Sequence, residues 1–230
     1  MQRFVVAGCG RAGTLYTSRL LTKLGVRTSH EEYFTCFTQP SAVPMFDWWC
    51  DQSETVGESS SLTPPYLSLL PKSTLVFHQV RNPIQAIRSL MGLNTFENSM
   101  KMRMLHNLRY FFRHMPQADH DDPPIVLAMK YWVFWNRSVG KNAVREPIQY
   151  RVEDMSNLDT GRLAGILQSI GHDVSPERLK TWVDKFGTKF HTFKRDETIT
   201  LSKLPDIELK QTLIEDALMY GYSLDEIKDA

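Results

Sequence analysis

The chain contains no stretch of about 20 consecutive apolar residues, which argues against a helical membrane span. Its first residues, MQRFVVAGCG, hold too short an apolar run for a secretory signal. Net charge is scarce: 27 Lys and Arg stand against 26 Asp and Glu, leaving +1. Such a balance supplies no global field for nucleic acid or an anionic membrane, although a local basic pocket is still allowed. Cysteine is scarcer. Cys9, Cys36 and Cys50 are odd in number and have no metal-ligand spacing, so they read as reduced thiols of a cytosolic protein. No internal repeat is present. What remains is a chain expected to be soluble and cytoplasmic. With 42% hydrophobic residues it can bury one core, as a single domain over residues 1–230.

Strands and helices alternate along the sequence. Residues 4–7 read as a buried strand, and residues 12–24 as a helix closed by Gly25. Residues 26–60 read as loop-rich, with Pro40, Pro44, Gly57 and the polar run SETVGESSS. PPYLSLL fits a short helix with Thr63 as its cap. STLVFHQV (residues 73–80) is the second clear strand, and Pro83 opens the helix after it. Residues 100–114 are helical, with Met102, Leu105, Leu108 and Phe112 on one face. PQADHDDPP is a loop, residues 125–144 a long aromatic helix, and PIQYRV (147–152) a third strand. Three helices follow, near 158–169, 176–186 and 206–219, with Ser175 and Pro176 starting the second. The alternation predicts an α/β domain: a small parallel sheet of four or five strands with helices on both faces.

Gly8, Gly10 and Gly13 spell G-x-G-x-x-G between the first strand and its helix. An ATP-type loop needs a lysine directly after its last glycine, and Thr14 stands there instead. A dinucleotide loop fits the glycines and places Glu31 and Glu32 near the distance of a ribose-binding acid. That acid should end an apolar strand, whereas VRTSH before it has one apolar residue. The third reading is an anion-binding nest at a helix mouth, with Arg11 adding charge and Thr14 a hydroxyl.

VFHQVRNPIQAIRSL supplies a second anion site. Arg81 follows a strand, Pro83 starts a helix, and Ser89 lies eight residues after Arg81 on that helix. In a parallel sheet the carboxyl ends of the strands face one crevice, so a guanidinium fork and a hydroxyl there would share it with the glycine loop. The pair predicts a ligand with two separated anionic groups.

GCGRAGT followed by R-N-P-x5-S resembles the P-loop sulfotransferases, which use 3′-phosphoadenosine 5′-phosphosulfate (PAPS). YRVEDM (150–155) is similar to the strand-end Y-E-D-[LM] element of those enzymes, so the likeness runs from residue 4 to about 155. It implies a three-layer P-loop-type domain and transfer of a sulfuryl group from PAPS to an acceptor hydroxyl, leaving 3′-phosphoadenosine 5′-phosphate (PAP). It also implies that Gly10, Arg11, Ala12, Gly13 and Thr14 cradle the phosphosulfate, while Arg81 and Ser89 take the 3′-phosphate. Arg11 stands where cytosolic forms carry lysine and is closer to the tyrosylprotein and bacterial forms. Ala12 replaces a common serine, and Val152 an adenine-contacting tyrosine. The alternatives are a small-molecule kinase on the same fold and a nucleotide-binding module without transfer.

Sulfuryl transfer needs a base for the acceptor and positive charge on the transferring group and leaving oxygen. Arg11 and the loop N–H groups suit the charge; SHEEYF suggests Glu31 as base, with His30 as rival and Glu32 beside them. His78 alternates with Val76 and Val80 and reads as a core histidine. Trp48 and Trp49 either stack on an acceptor or cover the core. Arg103, Arg109, Arg113 and His114 read as a solvated helix face. Asp119, His120, Asp121 and Asp122 lack metal-ligand spacing, and no metal is expected. Lys189, His191 and Arg195 fall in a late loop, and the resemblance implies a basic residue returned to the nucleotide from there, as sulfotransferases often do. The acceptor class is open: sugar, peptide tyrosine, lipid or small alcohol.

Overall fold

A computed structural model describes residues 1–96, 102–156, 159–186 and 198–228. The first half runs β1 (Phe4–Ala7), α1 (Thr14–Lys23), β2 (Thr28–His30), a 3₁₀ turn (Pro40–Met45), α2 (Phe46–Ser53), β3 (Gly57–Ser60), a second 3₁₀ turn (Pro64–Leu69) and β4 (Leu75–Val80). It continues as α3 (Pro83–Gly92), α4 (Met102–His114), α5 (Pro124–Asn142), β5 (Ile148–Arg151) and α6 (Val152–Ser156). The rest is helical: α7 (Thr160–Ser169), α8 (Pro176–Phe186), a 3₁₀ turn (Leu201–Lys203), α9 (Ile207–Met219) and α10 (Leu224–Lys228).

Five parallel strands form one sheet in the order β2-β3-β1-β4-β5. β1 is central, with Ala7 opposite Ser60 on β3 and His78 on β4. From β1 the chain crosses to the edge strand β2, returns inward to β3, and then passes to β4 and β5 on the other side. The glycine loop therefore leaves the sheet where the winding reverses, the switch point at which open α/β sheets bind ligands. Alternation along the strands sorts side chains to two faces. Phe4, Val6 and Phe77 pack with Leu20 and Leu21 of α1 and Leu163, Ile166 and Leu167 of α7. Val5, Ala7, Val76 and Val80 pack beneath Ile84 and Ile87 of α3 and Tyr131, Trp132 and Trp135 of α5. These faces make three layers.

The apolar strands and most helices stand where the sequence puts them, and Gly25 closes α1 in the left-handed region at φ 93°. Residues 26–60 are a correction: the stretch read as loop-rich contains β2, α2 and β3. β2 (TSH) and β3 (GESS) carry almost no apolar side chain, so the usual signal of a buried strand is missing. Their polar groups are satisfied individually instead: Ser59 Oγ donates to the Thr14 carbonyl at 2.8 Å, and Ser60 Oγ to that of Phe34 at 3.3 Å. Gly57 is required by crowding, since a Cβ there would lie 2.4 Å from the Phe4 carbonyl oxygen. Thr63 is a second correction. Its hydroxyl donates backwards to the Ser60 carbonyl at 3.2 Å, and the following helix is a 3₁₀ turn without a side-chain cap.

All three cysteines are free thiols, Cys9 and Cys50 buried. Among the described residues, no helix is long and apolar enough to cross a membrane.

Candidate active site

The glycine loop is built by close approach. A Cβ on Gly8 would sit 2.1 Å from the Gln79 carbonyl oxygen of β4, and one on Gly10 would sit 2.9 Å from the Tyr131 hydroxyl of α5. Gly13 caps α1 in the left-handed region at φ 94°, where a Cβ would also meet Val152 at 2.8 Å. Gly13 supplies no side-chain cap to α1, and a helix mouth of this kind suits an anion that accepts from the first-turn N–H groups.

Two loop amides are committed internally. Gly10 N–H donates to Tyr131 Oη at 2.7 Å, and Ala12 N–H to the Cys9 carbonyl at 3.2 Å. Gly10 and Ala12 therefore shape the loop through their backbone, while Gly13 and Thr14 stand at the helix mouth. Underneath, the buried Gln79 side chain ties the loop to the sheet. Its Nε2 donates to the Ala12 carbonyl at 2.5 Å, while Thr17 and Tyr150 hydroxyls donate to its Oε1 at 2.5 and 2.6 Å.

The second motif meets the first directly. Arg81, just after β4, donates from Nη1 to the Arg11 carbonyl at 2.8 Å and from Nη2 to Gln85 Oε1 at 3.3 Å. Ser89 on α3 accepts from Arg11 Nε at 3.1 Å, which joins the second motif to the loop arginine. Asn82, between Arg81 and Pro83, caps α3 by accepting from the Ile84 and Gln85 amides at 3.0 and 3.3 Å. Its own amide N–H donates to Glu153 Oε1 at 3.0 Å. YRVEDM thus serves as scaffold: Tyr150 holds Gln79, Glu153 holds Asn82 and the Tyr222 hydroxyl, and Met155 is buried.

Glu31 follows β2 in a left-handed turn at φ 51° and accepts a 2.7 Å hydrogen bond from Ser61 Oγ, just beyond β3. Burial lowers the Arg11 guanidinium below its ordinary pKa, and the nearby Glu31 carboxylate opposes that shift, which sets a cation and an anion at the loop mouth. His30, at the end of β2, is held below its ordinary pKa chiefly by burial, and its Nδ1 is buried without a hydrogen-bond partner. Glu32 is exposed. The structure therefore brings Arg11, Glu31, Arg81 and Ser89 to one mouth: cations and helix amides for an anion, a carboxylate for a proton.

Several groups that build this site carried no sequence signal. Ser61 lies in a serine run, Tyr131 in an aromatic helix, and Gln79 inside a strand whose neighbours are apolar. Tyr150 and Glu153 stood in the YRVEDM motif, and Asn82 in R-N-P-x5-S. The other candidates lie apart. His78 is a core histidine: its Nε2 meets Asn136 Oδ1 at 3.2 Å, and burial lowers its pKa to about 4. Trp49 packs on Tyr33, with ring centroids 4.9 Å apart, whereas Trp48 is exposed. Arg109 and Arg113 are exposed, His114 packs on Tyr110, and the Arg103 side chain lies outside the described residues. Asp122 is paired with Lys130 Nζ at 2.7 Å. Lys189, His191 and Arg195 also lie outside the described residues.

No family model matches the chain, and none of the curated proteins matches it in sequence. Solved structures do. The sulfotransferase domain from the curacin biosynthetic pathway aligns with TM-score 0.59 and 12% identity, over 97% of this chain and 98% of that domain. The sulfotransferase domain from the Synechococcus PCC 7002 olefin synthase aligns with TM-score 0.58 and 17% identity, over 96% and 95%. Near-complete coverage in both directions, on one five-stranded parallel sheet with a glycine loop at its switch point, gives this chain the sulfotransferase fold.

Proposed function

We propose that the chain is a PAPS-dependent sulfotransferase acting on a hydroxyl acceptor. The observation that carries this reading is the meeting of the two motifs, with Arg81 bonded to the Arg11 carbonyl and Ser89 to the Arg11 side chain. Two cationic groups and an uncapped helix mouth thus share one crevice. That arrangement suits a ligand with a phosphosulfate at one end and a phosphate at the other. Gly13 and Thr14 receive the phosphosulfate at the helix mouth, Gly10 and Ala12 hold the loop open for it, and Arg81 with Ser89 receives the 3′-phosphate.

In the reaction, the acceptor hydroxyl gives its proton to Glu31 as its oxygen bonds to sulfur. The bond from sulfur to the 5′-phosphate oxygen breaks in line, and PAP leaves with the electron pair. Arg11 lies against the developing negative charge, where fixed cations and amides stabilise a transition state most. Ser61 holds the Glu31 carboxylate by Oε1, and in this reading the other oxygen takes the acceptor's proton.

Thermal shift with PAP, ATP, GTP and NAD tests the ligand. PAP at concentrations above its dissociation constant should raise the melting temperature, and stronger stabilisation by NAD or ATP sinks the reading. Glu31→Gln tests the chemistry. It should leave PAP affinity within about threefold while lowering transfer by roughly 10²–10⁴. Full transfer in Glu31→Gln combined with none in His30→Asn assigns the base to His30. PAP binding without transfer to any acceptor leaves the nucleotide-binding module.

A further inference from the structure

We propose that Glu58 is the positioning residue for the Glu31 turn, fixing the backbone on both sides of that carboxylate. The inference rests on the reading of Glu31 as the base. Glu58 lies on β3, between β1 and β2, and its residue is fully buried. Oε2 accepts from Ser29 Oγ at 3.0 Å and from the Tyr33 amide at 2.8 Å, and Oε1 accepts from the Phe34 amide at 2.8 Å. Ser29 lies two residues before Glu31, and Tyr33 two after. The carboxylate therefore clamps the turn at its entry and its exit.

Packing economy does not account for a glutamate at this position. A buried carboxyl group is costly even when fully hydrogen-bonded, and an apolar side chain would fill the centre of a sheet at less cost. What the carboxyl group supplies is two acceptor oxygens facing the amides of a turn that no strand partner can satisfy. The turn needs them, because Glu31 holds a left-handed backbone at φ 51° that a non-glycine residue rarely adopts. Ser61, the residue after β3, holds the Glu31 side chain from the end of that strand. One polar strand thus fixes both the backbone and the carboxylate of the base, and Glu58 acts on the chemistry only through Glu31.

The test is a double-mutant cycle on the release of radiolabelled sulfate from PAPS, with water as acceptor. Glu58→Gln keeps the volume but turns an NH₂ group toward donors. It should slow release about tenfold or more in the wild-type background and less than about twofold in the Glu31→Gln background, with PAP affinity within about threefold in both. Equal loss in the two backgrounds, or no loss in either, overturns the positioning role and leaves the base assignment standing. Wild-type release in Glu31→Gln overturns the base assignment and the positioning role with it. Ser29→Ala removes one of the three clamp bonds and should show the same dependence on Glu31, more weakly, should Glu58→Gln not fold. Amide exchange reads the clamp without turnover. The Tyr33 and Phe34 amides should exchange about tenfold faster in Glu58→Gln, and unchanged exchange overturns the proposal.

Discussion

Tyr131→Phe removes a single oxygen atom from beneath the glycine loop. That oxygen accepts the Gly10 N–H at 2.7 Å, and the ring carrying it is fully buried against Phe111 and Trp135, with centroids 4.7 and 5.1 Å away. The ring cannot move to compensate, so the substitution leaves a donor without its acceptor. Because Gly10 is only half-buried, the lower part of the range for an unmade hydrogen bond applies, about 1–2 kcal/mol. For a chain of this length that corresponds to a fall of about 2–8 °C in melting temperature. Gly10→Ala probes the same contact from the other side. Its Cβ would lie 2.9 Å from the Tyr131 oxygen, and since the φ of Gly10 is outside the left-handed region the cost is steric. Removing the oxygen leaves the Cε1 carbon, at 3.3 Å, as the nearest obstacle. Gly10→Ala should therefore cost at least about 0.5 kcal/mol less in the Tyr131→Phe background than in the wild type, measured by urea unfolding at constant m. Additivity within about 0.3 kcal/mol would show that the two groups do not touch as described, and would refute the reasoning.

Arg81→Ala should weaken binding of PAP at least about tenfold more than binding of adenosine 5′-phosphosulfate, which lacks the 3′-phosphate but shares the loop that Arg81 braces; equal losses in a calorimetric titration would make Arg81 structural. Stability should depend on pH through two buried groups of opposite sign, followed by urea unfolding. His78, lowered to about 4, contributes stability that is complete above its unfolded pKa near 6.5 and is lost as pH falls toward 4, about 3 kcal/mol in all. Glu58, raised by burial to about 7, binds its proton more readily folded than unfolded, so it adds stability as pH falls from 7 to about 4.5. Glu58→Gln removes that offset, and its stability should fall more steeply than the wild type's between pH 6.5 and 4.5; parallel curves would remove Glu58 from the account.

Legibility in the sequence followed how each element is held. β1, β4 and the long helices are held by apolar faces, and their apolar runs and periodicity announce them; β5 buries only Tyr150 and was legible from the PIQYRV stretch as a whole. β2 and β3 are held by named hydrogen bonds, Ser59 to Thr14 and Glu58 to the Tyr33 and Phe34 amides, which leave no periodic trace. GESS reads as a loop because nothing local reveals that Gly57 must pass Phe4 without a Cβ. Arg11, Arg81 and Ser89 stood out as candidates because glycine spacing and strand-end position are local properties, whereas Glu31 stood out from its place after the first helix, in a stretch that reads as loop although it holds β2. Their supports did not stand out. Gln79 lies 67 positions from the Ala12 carbonyl it holds, and Tyr131 lies 121 from Gly10. Only the fold sets such pairs side by side.

Backbone geometry separates the residues of the crevice from ordinary turns. Among the described residues, four non-glycine positions have left-handed φ: Arg11 at 70°, Glu31 at 51°, Glu54 at 54° and Asn94 at 52°. Glu54 is the C-cap of α2, and Asn94 follows the end of α3 with its amide bonded back to Met91. Helix ends commonly carry such residues, so these two have a local reason. Arg11 and Glu31 terminate no helix. Each costs about 1–2 kcal/mol relative to a relaxed conformation, and that cost has to be met by the surroundings. At Arg11 the offset comes from the second motif, with Arg81 bonded to its carbonyl and Ser89 to its side chain. At Glu31 it comes from β3, through Ser61 and the Glu58 clamp. Glycine at either position would relieve the backbone and remove the charge. The chain keeps an arginine and a glutamate where glycine would be easier, facing each other across one mouth, and the charges are what the strain preserves.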